Sequence, residues 1–157
     1  MRTLAFLAAL ALVTPAAAAE LRLASVFGPH AVLQRETAVP VRGWTQPGAD
    51  VLVAPGWTEA VFTGRADERG AFRVPIRTPE AGGPYAVAVS SGGEEVRLDD
   101  VLIGDVWLAS GQSNMFWPLV ETEGGEEAVA GASHARLRLF TVERAASAAE
   151  EEDCAGA

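Results

Sequence analysis

The sequence predicts a β-sandwich followed by the opening of an α/β domain, and three patterns carry that expectation. Over residues 21 to about 98, apolar residues alternate with polar or small ones in short runs. Clusters rich in glycine, proline, serine and aspartate separate these runs. From Val101 onward the alternation gives way to a nearly continuous apolar stretch. The 157 residues are room for roughly one domain of ordinary size. They are too few for a sandwich of about 100 residues plus a complete α/β domain of about 100–150.

Residues 1–19 are expected to be a signal peptide rather than part of the fold. Arg2 supplies a short charged region, residues 4–13 (LAFLAALALV) form an apolar run, and Pro15 breaks it. Ala17-Ala18-Ala19 before Glu20 fits the small-residue cleavage pattern. The competing reading is a buried Ala/Leu helix. Ten apolar residues span about 15 Å as a helix, roughly half a bilayer core, so no stable membrane anchor is expected. The protein is therefore expected to be exported, either periplasmic or secreted. Cys154 is the single cysteine and has no partner for an internal disulfide; none follows the apolar run to carry a lipid.

Residues 20–98 are expected to form the sandwich domain. Val39 and Val41, then Val51 and Val53, alternate with smaller or polar neighbours. Phe72, Val74 and Ile76 do the same, as do Tyr85, Val87 and Val89. Alternation sends one set of side chains to a core face and the other to solvent. Gln46-Pro47-Gly48, Asp67-Glu68-Arg69-Gly70, Ala81-Gly82-Gly83-Pro84 and Ser91-Gly92-Gly93 supply the turns. Pro40 and Pro75 belong on edges or bulges, since proline cannot donate to a ladder.

Residues 99–157 read as the first part of an α/β domain. The run 101–109 (VLIGDVWLA) is what a strand covered on both faces requires. A tight polar turn, Ser110-Gly111-Gln112-Ser113-Asn114-Met115, follows it. Residues 126–132 are a helix candidate, 136–142 (RLRLFTV) alternate like a strand, and the Ala/Glu-rich tail 145–157 is expected to be loose.

Charge narrows the partners. Twelve arginines, no lysine and 21 carboxylates give a formal net charge of −9. That balance argues against a nucleic-acid or anionic-membrane surface, which needs a basic patch. His, Cys and carboxylates do not cluster at ligand spacing, so neither a metal nor a cofactor is expected.

The turn at Ser113 is where chemistry is expected. A strand running into Gly-Gln-Ser-Asn sets Ser113 at the carboxyl edge of a sheet, where α/β folds bind ligands. Serine there is placed to attack an ester carbonyl, with its own N–H steadying the oxyanion. Taken alone the pattern also fits ordinary helix capping by Ser113 and Asn114. Met115 replaces the second glycine of Gly-x-Ser-x-Gly, which disfavours the α/β-hydrolase elbow.

The block Gly104-Asp105-Val106-Trp107-Leu108-Ala109-Ser110-Gly111-Gln112-Ser113-Asn114-Met115 resembles the first signature of the sialate O-acetylesterase-like SGNH hydrolases. Upstream, Leu23-Ala24-Ser25-Val26-Phe27 through His30-Ala31-Val32-Leu33-Gln34-Arg35 is similar to that family's amino-terminal segment, with Ala31 where methionine is usual. Val39-Pro40-Val41-Arg42-Gly43-Trp44 and Arg138-Leu139-Phe140-Thr141-Val142 also resemble family strands. The resemblance runs from about Leu21 to Cys154. It implies a flavodoxin-like second domain and an O-acetylated carbohydrate as substrate, with Ser113 as the acylated nucleophile. Ser113 is also implied as an oxyanion donor, and Gln112 and Asn114 are candidates for the oxyanion site or pocket. The family's remaining oxyanion donors and its Asp-x-x-His block are absent from these residues, so the chain is read as the amino-terminal portion of a longer enzyme, inactive by itself.

Neither histidine stands in readily for the missing base. His134 is expected at the opposite edge of the sheet from Ser113, and His30 is expected to pack or hydrogen-bond between the domains. Phe116 and Trp117 read as an apolar wall or as core, and Glu121, Glu123, Glu126 and Glu127 as a solvated face. Two other readings stay open. One is a non-catalytic carbohydrate-binding or spacer sandwich using Trp44 or Trp57 as a stacking platform. The other is a fragment with an unfinished sheet and no function of its own.

Overall fold

The computed structural model describes residues 20–156, so the expected signal peptide lies outside the described residues. Eight strands come first: β1 (Arg22–Leu23), β2 (Val32–Gln34), β3 (Ala38–Trp44), β4 (Asp50–Pro55), β5 (Phe62–Arg65), β6 (Ala71–Arg77), β7 (Gly82–Ser91) and β8 (Glu94–Gly104). They form a three-stranded sheet, β1-β3-β6, and a five-stranded sheet, β2-β8-β7-β4-β5. Every pairing is antiparallel except β2 with β8.

The alternating runs are strands, and their apolar sets meet in one core. Val41, Phe72, Val74 and Ile76 come from the smaller sheet; Val51, Val53, Val87, Val89, Leu98, Val101 and Ile103 come from the larger. Each fully buried side chain of this size contributes about 1.5–3 kcal/mol of transfer free energy. Gly64 on β5 packs against the Val74 side chain on β6, where a Cβ would meet Val74 at 2.6 Å. The five-stranded sheet thus curls into a half-barrel against its partner. Buried hydroxyls join the strand ends: Thr45 donates to Ser91 Oγ (3.2 Å), which donates to the Asp50 carbonyl (2.8 Å).

Pro40 and Pro75 face each other across β3 and β6. Two residues without N–H groups can only pair at a rung where the amide positions point away from the partner strand. There β1, which reaches only Gly43 and Trp44, leaves no acceptor waiting. The two prolines therefore remove no ladder hydrogen bond.

The expected β-sandwich followed by a flavodoxin-like α/β domain is not what forms. Among the described residues the chain is mostly β with a single α-helix, α1 (Gly125–Gly131), and its two sheets are a three-stranded layer and a curled half-barrel. The stretch 101–109 is not a strand covered on both faces. Only its first four residues are in a strand, as the end of β8, where Val101 and Ile103 are buried on the single face that meets the common core. Beyond them Trp107 is 88% exposed and Leu108 91% exposed. The physical reason is that α1 does not cover a sheet. Gly125, its first residue, sits against the Leu119 carbonyl of the preceding 3-10 turn, Leu119–Glu121. Residues 136–142 likewise lack a strand partner, apart from an isolated bridge between Val142 and Gly156.

Part of the tail, at Glu152 and Asp153, is tied to the sheets. Asp153 accepts from Ser25 N (3.0 Å) and Ser25 Oγ (3.3 Å) and lies 3.5 Å from Arg22. Arg69 pairs with Glu152 at 2.8 Å, and Arg42 donates to the Glu152 carbonyl. Two acidic residues of the tail thus return to arginines on β1, on β3 and in the turn before β6. No helix among the described residues is long and apolar enough to cross a membrane.

Candidate active site

The serine-bearing turn hangs from the end of β8. After Gly104 the chain is tied at two points: Val106 N donates to Gln34 Oε1 (2.8 Å), and Asp105 accepts from Arg35 Nε (2.8 Å). The Arg35 guanidinium holds the Asp105 carboxyl below the usual carboxylate range, while Asp105 raises Arg35 further above its already high value. From Trp107 the chain runs without strand pairing to a single 3-10 turn, Ser113–Phe116. Met115 N bonds the Gln112 carbonyl (2.9 Å) and Trp117 N bonds the Asn114 carbonyl (3.1 Å). Gly111 lies against the Met115 side chain, where a Cβ would sit 3.1 Å from Met115 Cγ.

Ser113, Gln112 and Asn114 are all exposed and lie side by side on this turn. Gln112 caps the turn with its backbone only, without a side-chain hydrogen bond. Among the described residues, the Ser113 hydroxyl has no hydrogen-bond partner. Ala109 to Ser113 with Met115, Phe116 and Arg144 line an open groove of about 450 Å³. The Arg144 guanidinium stacks on the Phe116 ring, 3.7 Å from its centroid, which gives one side of the groove a cationic, apolar wall. Phe116 is therefore wall rather than core, whereas Trp117 is exposed and does not line the groove.

Neither histidine lines this groove. His134 is exposed, and its ring makes no hydrogen bond among the described residues. His30 Nδ1 lies 2.5 Å from Asp100 Oδ2. Arg138 Nη2 donates to both oxygens of the same carboxylate (3.0 and 2.9 Å), and Arg138 Nη1 reaches the Asp100 carbonyl. This cluster joins the start of the β2 segment, β8 and residue 138, so the hydrogen bonding expected of His30 falls at that junction. Both His30 and Asp100 have left-handed backbones (φ 67° and 55°).

The His30 hydrogen bond, and next the Arg138 pair, hold Asp100 below its ordinary value. A depressed folded pKa gives stabilisation that is complete above the unfolded value of about 3.9 and is lost as pH falls from there through the folded value. A carbon-detected titration of Asp100 is expected to give a midpoint under about 3.9 that rises in Arg138→Met. A midpoint unmoved by that substitution would show the pair to be without influence.

The two candidate stacking tryptophans, Trp44 and Trp57, are both half-buried. Trp57 packs against the core, edge-on to Tyr85 at 5.5 Å, and donates to the Arg77 carbonyl. Trp44 carries Arg22 over its ring at 3.7 Å. Sequence reasoning missed the Gln34 and Arg35 ties to residues 105–106 and the return of the tail. The resemblance of residues 30–35 to a family segment was the one signal marking the first of these.

No protein-family model matches the chain. Curated relatives do. Mouse and human sialate O-acetylesterases are each 30% identical over 142 residues, covering 84% of this chain but only 26% and 27% of their own lengths. The rat sialate O-acetylesterase is 31% identical over 141 residues, covering 83% of this chain and 26% of its own. A solved structure, a carbohydrate acetylesterase from Xanthomonas citri, superposes with a TM-score of 0.79 at 39% identity, over 87% of this chain and 32% of that one.

Two paired sheets, one of them curled into a half-barrel, that lead into a serine-bearing turn are thus those of an esterase-like family. Over most of its length the chain is similar to the sialate O-acetylesterases. It spans about a quarter of the length of the curated relatives it matches.

Proposed function

We propose that these residues carry the nucleophile of an exported carbohydrate O-acetylesterase. The observation that carries the reading is Ser113: exposed, with its hydroxyl unpaired among the described residues, on the rim of a groove, within a Gly-Gln-Ser-Asn that resembles the family signature. In this reading Ser113 Oγ attacks the acetyl carbonyl, and its proton passes to a histidine base. The tetrahedral oxyanion accepts a hydrogen bond from the Ser113 N–H, and collapse expels the sugar alkoxide, which takes up the proton held by the histidine. Water, deprotonated by the same base, then releases acetate and restores the serine. Gln112 and Asn114 flank the acyl group, and Phe116 under Arg144 forms the wall beside it.

No Asp-x-x-His occurs in these 157 residues. A serine without a base is a poor nucleophile at neutral pH, so the base comes from outside them and this chain alone is inactive. The chain beyond β8 opens the catalytic domain, the two sheets form the domain before it, and residues 1–19 direct export.

The test is covalent. Expressed together with its downstream sequence, the folded protein is expected to take up one fluorophosphonate, mapped by peptide mass spectrometry to Ser113. An adduct on another serine, or none, would remove the assignment.

A further inference from the structure

Residues 31–35 grip β8 in two different ways. Over Val32, Leu33 and Gln34 the grip is a parallel ladder, opposite Leu102, Ile103 and Gly104. The Leu102 amide bonds the Ala31 carbonyl (3.0 Å) and the Arg35 amide bonds the Gly104 carbonyl (2.9 Å). Past Gly104 the backbones part, and side chains continue the pairing for two more residues. Arg35 Nε holds Asp105, and Gln34 Oε1 takes the Val106 N–H in the place of a strand carbonyl.

The gripping segment is itself anchored. Leu33 is in the core. The Thr78 hydroxyl donates toward the Gln34 carbonyl (2.7 Å) and the Thr37 carbonyl (3.1 Å), and it accepts from Thr37 N. Glu36 N bonds the Pro79 carbonyl. The Gln34 backbone is thereby fixed from β6, and its amide oxygen is a defined point in space. Downstream of Val106, no strand pairing or hydrogen bond among the described residues constrains residues 107–110 before the turn at Gln112. Val106 is the last anchored residue before Ser113.

We propose that Gln34 and Arg35 are positioning residues for the nucleophile. They fix the direction in which the chain leaves the sheet, and so place Ser113 where the acyl group is met. A side-chain acceptor suits this task, because a continued backbone ladder would carry the chain on along the sheet instead of releasing it into the groove. The inference rests on the reading of Ser113 as nucleophile.

Gln34→Leu removes the acceptor at similar volume, and Gln34→Glu keeps an acceptor oxygen. In the full-length protein, Gln34→Leu is expected to speed hydrogen exchange at the Val106 amide by about five- to tenfold, the span of one hydrogen bond. It should slow fluorophosphonate capture at Ser113 by a similar factor while the thermal midpoint stays in place. Gln34→Glu should restore both rates, and Arg35→Met should slow capture in the same way. Wild-type exchange at Val106 in Gln34→Leu would overturn the clamp. Faster exchange with an unchanged capture rate would overturn its positioning role. If wild-type Ser113 takes no label while Val106 stays protected through Gln34, the nucleophile reading has failed and the positioning role fails with it.

Discussion

Gly43→Ala is expected to destabilise the two-sheet body by about 2–4 kcal/mol, more than a surface change and comparable to a core truncation. Gly43 lies on β3 between β1 and β6, and a Cβ there would meet the Arg22 carbonyl oxygen at 2.2 Å, Phe72 Cζ at 2.7 Å and Leu23 Cα at 3.0 Å. Two of these three are backbone atoms. Relief therefore means moving β1 as well as rotating a side chain. β1 is only two residues long and is held by its pairing with Gly43 and Trp44 and by the Ala24 amide on the Arg42 carbonyl. Pushing it away uncovers Leu21, a core residue, while Phe72 must leave its buried position. Chemical denaturation should show the midpoint falling with an unchanged slope. Gly28→Ala serves as the control, since a Cβ there meets nothing within 4 Å and the change should stay within about 0.5 kcal/mol of zero. Equal effects at the two positions would show that the approach of β1 to β3 is loose.

Why some elements were legible and others were not follows from what sets each one. β4 and β6 are local matters. Val51 and Val53, and Phe72, Val74 and Ile76, alternate because one face of their own strand is buried, and neighbouring residues suffice to show it. The 101–109 run is different. An apolar stretch signals that something covers it, but not whether that cover is a pair of helices or an opposing sheet. Here β8 alternates into the common core up to Ile103, and the apolar residues after it face outward. The alternating 136–142 segment had the right period for a strand, yet a strand needs a partner, and only Gly156 supplies one at Val142. The parallel pairing of β2 with β8 joins residues 70 apart in sequence, which no local pattern reveals. The candidate site divides in the same way. Ser113 with its neighbours could be singled out from a contiguous motif. The Gln34, Arg35 and Arg144 contacts that shape its surroundings depend on long-range packing.

Ser113→Ala is expected to abolish deacetylation while leaving the fold untouched, and the pairing of those two outcomes gives the experiment its force. Removing a catalytic serine costs about four to six orders of magnitude in kcat, because the covalent route is closed and only binding and oxyanion stabilisation remain. The Ser113 N–H is a backbone group and survives the substitution, so a small residual rate above the uncatalysed one should persist in the full-length protein. Stability should shift by no more than about 0.5 kcal/mol. The side chain is exposed, makes no hydrogen bond among the described residues, and starts a turn whose bonds run between the Gln112 and Asn114 carbonyls and later amides. Gln112→Ala and Asn114→Ala leave those backbone bonds in place and should cost far less than loss of the nucleophile. Acetate release from an O-acetylated sugar, read beside the thermal midpoint, separates the alternatives. Activity retained in Ser113→Ala would place the nucleophile elsewhere. Activity lost together with the fold would make Ser113 a structural residue of the turn. Only a silent but intact protein matches a serine whose hydroxyl is left unpaired at the rim of the groove.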